Sequence, residues 1–494
     1  MMMKKNIKLL FISFTALFFL VFFMMLAKGI GKIERPIIKD IFVLGTLAFI
    51  MFIISAHLFT SKFKIFKNQK MIIPFFFMTV FVINIFFAIR LNDIIKPVSD
   101  FELAYNKAIH FTTNTQYDLY YPWWTNFSIF LKTIFSFFGS NLLIVSIMNS
   151  ILSTLSCYFV YLIAKKHLKF NQLWAFLPAL LFALYPSRLF FLPFVAPDFI
   201  AEFGFILVSF LFFNYLDLFL NEHATKKTYI YPAILAILVL FFSLFKPMQE
   251  IFLILFLIIL TIKSLPSFSK SAKRLCYFVI VFLCIILSGN FIHAKLFESY
   301  TNIKVDKSLI MMNKLYVGLN SEGRGYWNPI NERYLAKLEK TYNSDTTKIT
   351  QSIKTKLIND IKHNPTFPKL ISDKLETAFI SDFYGIEWIN LSLKTGRVDI
   401  IDLEKPVYLS NLYYYFILLF ALFALISINK TKNLKSLYFV IFLLGFTAVV
   451  LIGESQTRYK LAFLFNFILL ASVGIKYIAE YKLEQKIKKF LKEN

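Results

Sequence analysis

A turn-starting segment, Lys96-Pro97-Val98-Ser99-Asp100-Phe101-Glu102, follows an apolar run that ends at Arg90. Asp100 and Glu102 place two carboxylates where a hydrophobic helix leaves the bilayer, and a carboxylate there can take the proton of a hydroxyl acceptor. The alternative is local: Ser99 or Asp100 caps a helix over 101–110. Groups able to face an anion are few. Lys246, followed by Pro247, ends another apolar run and either binds an anion or snorkels to the membrane edge. Arg458 lies four residues after Glu454, a spacing that pairs them on a helix, and its planar fork suits phosphate. Arg188 and Asp198 flank a short turn, as an ion pair or as substrate contacts, and Gln249 and Glu250 open a span on the same face. Tyr121, with Trp123 and Trp124, either stacks on a ring-shaped ligand or anchors the loop among headgroups.

These residues need apolar elements to hold them, and the composition supplies little else. The 494 residues are 58% hydrophobic and 19% aromatic, with a mean hydropathy of +0.64, too apolar for a soluble globular chain. The net charge of +25 does not mark a nucleic-acid binder, because the lysines fall in short loops between apolar runs. Runs able to cross about 30 Å of hydrocarbon stand at 8–28, 40–60, 71–90, 141–164, 172–187, 198–220, 229–246, 249–265, 275–296, 408–428, 436–453 and 459–478. About twelve spans result, eleven to thirteen if the short runs 172–187 and 229–246 merge or re-enter. The first run lacks a cleavage site and reads as a retained span.

Every second loop is Lys-rich, which places both termini in the cytoplasm and 91–140, 188–197 and 297–407 on the outer face. The basic segment 28–39 is the exception. In 91–140, Phe127, Phe130, Leu131, Ile134, Phe135 and Phe138 recur at helical spacing, as in an interfacial helix. The polar stretch 297–407 reads as a small helical extracytoplasmic domain. The expected organisation is two N-terminal helices (1–70), a transmembrane core (71–296), that domain (297–407), C-terminal helices (408–480) and a basic tail (481–494). Cys157, Cys276 and Cys284 lie in apolar runs and form no disulfide framework. The histidines lack metal-ligand spacing, so no cofactor or metal is expected, with a divalent ion on Asp100, Glu102 and Asp118 as the open alternative. No phosphate-binding or dinucleotide fingerprint is present.

Four segments, in order, resemble the GT-C glycosyltransferases of the protein O-mannosyltransferase and aminoarabinose-transferase branch. They are Ser99-Asp100-Phe101 with Tyr105, Ala108, Tyr121-Pro122 and Phe138-Gly139; Ala183-Leu184-Tyr185-Pro186-Ser187 with Asp198; Tyr316-Val317-Gly318-Leu319-Asn320 with Gly323, Gly325, Trp327 and Asn328; and Glu454-Ser455-Gln456-Thr457-Arg458-Tyr459. The resemblance covers roughly 71–480. It departs from the family in Phe101, which separates an acidic pair often adjacent there, and in two extra spans before the motif.

It implies an inverting glycosyltransferase of the bacterial plasma membrane, Gram-positive in character. A polyprenyl-phosphate monosaccharide would be the donor, and a cell-envelope glycopolymer or a protein hydroxyl the acceptor. Asp100 would be the base. Glu102, Tyr105, Tyr121, Arg188, Asp198, Lys246, Glu250 and Arg458 would bind substrates. The rival readings are a flippase of lipid-linked sugars, a polysaccharide polymerase and an inactive scaffold.

Overall fold

The computed structural model describes residues 2–31, 69–111, 115–219, 226–321, 323–363, 367–394 and 404–493. Nine helices among them are long and apolar enough to cross a membrane. No strand occurs among the described residues beyond an isolated bridge between Ile95 and Leu393. The protein is an all-α, multi-pass membrane protein.

In chain order the helices are α1 (Met2–Gly31), α2 (Gln69–Asn92), α3 (Ser99–His110), α4 (Thr115–Tyr120), α5 (Pro122–Phe138), α6 (Leu142–Leu162), α7 (Gln172–Ala183), α8 (Pro186–Phe191), α9 (Asp198–Leu218) and α10 (Lys226–Ser243). They continue as α11 (Gln249–Ser264), α12 (Phe268–Thr301), α13 (Lys307–Leu319), α14 (Pro329–Tyr342), α15 (Thr346–His363), α16 (Phe367–Phe379), α17 (Tyr384–Ser392), α18 (Glu404–Thr431), α19 (Leu434–Ile452) and α20 (Leu464–Glu493). A 3-10 turn, Thr457–Phe463, leads into α20.

The expected twelve spans are revised. The run 40–60 lies outside the described residues. The run 172–187 is a helix of 12 residues, because Pro186 disfavours helical backbone at Tyr185 and restarts the chain as α8. The run 249–265 gives a helix of 16 residues. Burial then separates the spans. The apolar stretch within 457–480 is 83% buried and that within α9 72%, whereas the apolar stretch of α12 is 17% buried and that of α2 22%. Central and lipid-facing helices are thereby distinguished, and both central ones begin with charged or polar residues at one end of the bundle.

Small and polar residues let the helices approach. On α6 one buried face carries Ser146, Asn149, Ser150, Ser153 and Ser156, at three- and four-residue spacing. There Asn84 of α2 donates to Ser153 Oγ at 2.8 Å, and Asn149 donates to the carbonyls of Leu192 and Phe194 at 2.9 Å. The 91–140 segment folds as α3, α4 and α5. Helix α5 buries Trp124, Phe127, Leu131 and Phe135 and exposes Phe137 and Phe138. A buried Lys107–Asp118 pair, joined by Thr125, ties the three helices together.

Candidate functional site

The site begins where α3 begins. Its first amides need no side-chain cap: Phe101 and Glu102 donate to the Val98 carbonyl at 3.1 and 3.4 Å. Asp100 therefore does not cap the helix, contrary to the local alternative. The carboxylate instead accepts from Arg458 Nη2 at 3.1 Å. Phe101, Ala104 and Ala108 hold the other face of α3 in the core, with the Phe101 ring 4.7 Å from that of Trp388 on α17.

Arg458 enters from the 3-10 turn that precedes α20. Its guanidinium is boxed by the rings of Trp388, Phe101, Trp124 and Tyr459, at 5.2 to 5.8 Å from their centroids. Those π-faces attract the charge but supply no lone pair in the guanidinium plane. Nε and Nη1 of Arg458 are buried without a hydrogen-bond partner. A buried donor left unmade is costly, and an anion with several acceptor oxygens is what would satisfy both.

The expected Glu454–Arg458 pair is not formed. Because α19 ends at Ile452 and the 3-10 turn starts at Thr457, the intervening residues lack the helical geometry that would align the two side chains. Glu454 instead accepts from Tyr459 Oη at 2.8 Å and from Gln456 Nε2 at 2.5 Å. Lys246, in the turn between α10 and α11, donates to Asp198 Oδ1 at 2.8 Å, with its ammonium 5.0 Å from the Tyr459 ring. Lys314 of α13 lies with its ammonium 4.3 Å from the Trp123 ring. Burial pulls its pKa down to about 8, against the opposing charges of Glu454 and Glu250. Burial, reinforced by Glu454, raises the Tyr121 hydroxyl.

Asp100, Tyr121, Asp198, Lys246 and Arg458 line one cavity of about 780 Å³. The other expected site residues lie elsewhere. Glu102, two residues past Asp100, points to the opposite side of α3 and is exposed. Tyr105 donates to the Ser140 carbonyl at 2.6 Å, at the junction of α5 and α6. Glu250 is exposed at the start of α11, outside the lining.

Arg188 is fully buried and does not meet Asp198. Its Nε faces both Glu202 oxygens, at 2.7 and 2.9 Å, and its Nη2 donates to the Ser153 carbonyl at 3.0 Å. Glu202 lies one turn beyond Asp198 on the same face of α9, deeper in the bundle, where only Asp198 lines the cavity. The trio Asp100, Glu102 and Asp118 is not gathered either, since Asp118 is taken by Lys107 and Thr125.

Several lining residues escaped the sequence reading, among them Tyr326, Glu332, Glu387 and Trp388. So did Lys314 beside the lining. A lysine or glutamate in a polar stretch carries no local mark of facing a cavity; of the lining residues between 326 and 335, only Trp327 belonged to a quoted motif.

No family model matches the chain, and no curated protein matches it. Among solved structures it is similar to the oligosaccharyltransferase AglB of Archaeoglobus fulgidus in complex with an inhibitory peptide and a dolichol-phosphate. Identity is 14% and the TM-score 0.42, over 87% of this chain and 52% of that one. The apo form of the Archaeoglobus fulgidus oligosaccharyltransferase gives 14% and 0.42, over 84% and 52%. The chain spans about half the length of these structures. At such values the likeness is one of helical outline, and the site assignment rests on the chain's own residues.

Proposed function

We propose that this protein is an integral-membrane, inverting glycosyltransferase of the GT-C type. It moves a monosaccharide from a polyprenyl phosphate to a cell-envelope acceptor at the outer face of a bacterial plasma membrane. Both termini are cytoplasmic, and 297–407 lies outside. The observation that carries the reading is the pairing of the Asp100 carboxylate with an arginine whose Nε and Nη1 still lack acceptors, inside a cavity.

A base and an anion-binding group within hydrogen-bonding distance can straddle one reacting carbon. The acceptor oxygen attacks the anomeric carbon while its proton passes to Asp100. The bond from that carbon to the phosphate oxygen breaks, and the phosphate leaves with the electron pair. Arg458 meets the developing charge through Nε and Nη1, with Lys246 as a second cation oriented by Asp198. Attack opposite the departing phosphate inverts the carbon. Asp100 keeps 31% of its side chain exposed, so an acceptor can reach it while Arg458, 5% exposed, stays desolvated. Leu103 and Leu391, exposed and lining the same cavity, offer an apolar edge for the polyprenyl chain.

The test compares wild type with Asp100→Asn in membranes supplied with radiolabelled polyprenyl-phosphate monosaccharides and cell-envelope acceptors, following label out of the lipid fraction. The substitution keeps size and removes the base, and transfer falls by about 10²- to 10⁴-fold. Equal transfer by both proteins removes Asp100 from the reaction. Label that crosses the bilayer still attached to lipid makes the protein a flippase instead.

A further inference from the structure

The exposed part of the cavity differs chemically from its buried floor. Lys246 and Arg458, the cations of the lining, are 12% and 5% exposed at their side chains. The exposed lining residues include Tyr326 at 38%, Trp327 at 44%, and the carboxylates Glu332 and Glu387. Two large rings presented to solvent beside acidic groups, in a chain of net charge +25, are not explained by packing or by phosphate binding.

The loop that carries the rings is fixed. Gly325 N–H donates to the Asn320 carbonyl at 3.1 Å, Tyr326 N–H to the Gly323 carbonyl at 3.1 Å, and Asn328 caps α14 through the amides of Ile330 and Asn331. Gly325 has φ +78°, and a Cβ there would stand 2.6 Å from Lys374 carbons, so no side chain fits. The Ser455 amide donates to the Gly325 carbonyl at 2.9 Å. The ring-bearing loop is thus hydrogen-bonded to the strand of chain that delivers Arg458 three residues later. A ligand resting on Tyr326 and Trp327 is held in register with the reacting centre.

We propose that Tyr326, Trp327 and Glu332 form an acceptor subsite for a neutral saccharide, an assignment that rests on the transferase reading. A pyranose presents an apolar C–H face that suits the negative face of an aromatic ring, while its hydroxyls donate to a carboxylate. The exposed carboxylates repel a phosphate-rich polymer, so the charge of the rim selects against polyanionic acceptors.

The experiment uses the full chain in lipid nanodiscs without donor. Saturation-transfer NMR is recorded with neutral trisaccharides (mannotriose, maltotriose, chitotriose), with a glycerol-phosphate oligomer and with a Ser/Thr-containing peptide. At least one trisaccharide binds, Trp327→Ala together with Tyr326→Ala weakens it about three- to tenfold, and Trp327→Phe restores it. An unchanged melting temperature separates loss of the platform from loss of the fold. The proposal is overturned if no trisaccharide binds, if binding ignores the substitutions, or if only the peptide or the glycerol-phosphate oligomer binds. Because no donor is present, these outcomes are independent of whether sugar transfer occurs, which the Asp100→Asn experiment decides.

Discussion

Two arginine–carboxylate pairs show how one kind of interaction serves two ends in this molecule. Arg188 and Glu202 are both fully buried and meet through two short contacts, with a third bond to the Ser153 carbonyl and the Phe182 ring 4.2 Å away. Arg458 and Asp100 meet through a single contact of 3.1 Å, and the carboxylate faces a cavity. The chemistry of the partners is nearly the same. Each guanidinium keeps a buried nitrogen without a hydrogen-bond partner, Nη1 in Arg188 and Nε and Nη1 in Arg458, but access differs: the first pair is closed in by helices, and the second leaves its base reachable from a cavity. A similar closed arrangement joins Lys460 to Asp382 at 3.0 Å, where Tyr185 also donates to the carboxylate.

The comparison breaks most sharply at Arg188. Arg188→Met strands the buried Glu202 and costs about 3–5 kcal/mol, read as a lowered melting temperature in detergent. The double variant Arg188→Met, Glu202→Leu recovers most of that loss, since closing an apolar pair over the gap leaves no orphaned charge. At the cavity, Arg458→Lys keeps the charge but removes the fork. Transfer falls about 10²- to 10³-fold while melting changes little, the reverse of the Arg188 pattern.

Lys374 lies between these extremes. It is fully buried, and its ammonium donates to the carbonyls of Gly318, Leu451 and Gly453, each at 2.7 Å. At that crossing a Cβ on Gly318 would stand 2.3 Å from the Gly453 backbone. Lys374→Met strands three acceptors and costs about 1–3 kcal/mol, with a fall in turnover because the chain leading to Arg458 loosens.

The smallest effect is at Lys314. With a pKa of about 8, it loses its charge as pH rises from 7 to 9, so polyprenyl-phosphate binding weakens a few-fold over that range in wild type and stays level in Lys314→Met. Stability moves the other way. The folded value lies below the ordinary 10.5, so the unfolded chain holds more protons between about 8 and 10.5, and this lysine's contribution to stability rises with pH across that window.

Apolar run length by itself determined that this is a helical membrane protein and where most spans lie, because lipid leaves the backbone no alternative to internal hydrogen bonding. Residue type and position at a membrane edge also marked Asp100, Lys246 and Arg458 as candidates. What the sequence could not determine was the pairing. Asp198 is ten residues from Arg188, yet it meets Lys246, 48 residues away, while Arg188 turns inward to Glu202. Arg458 is four residues from Glu454, yet it meets Asp100 across 358 residues. Local spacing predicts partners only inside a continuous helix. Here the chain breaks at Tyr185 and after Ile452, and which charges then share a cavity is settled by how the helices pack around α9 and α20.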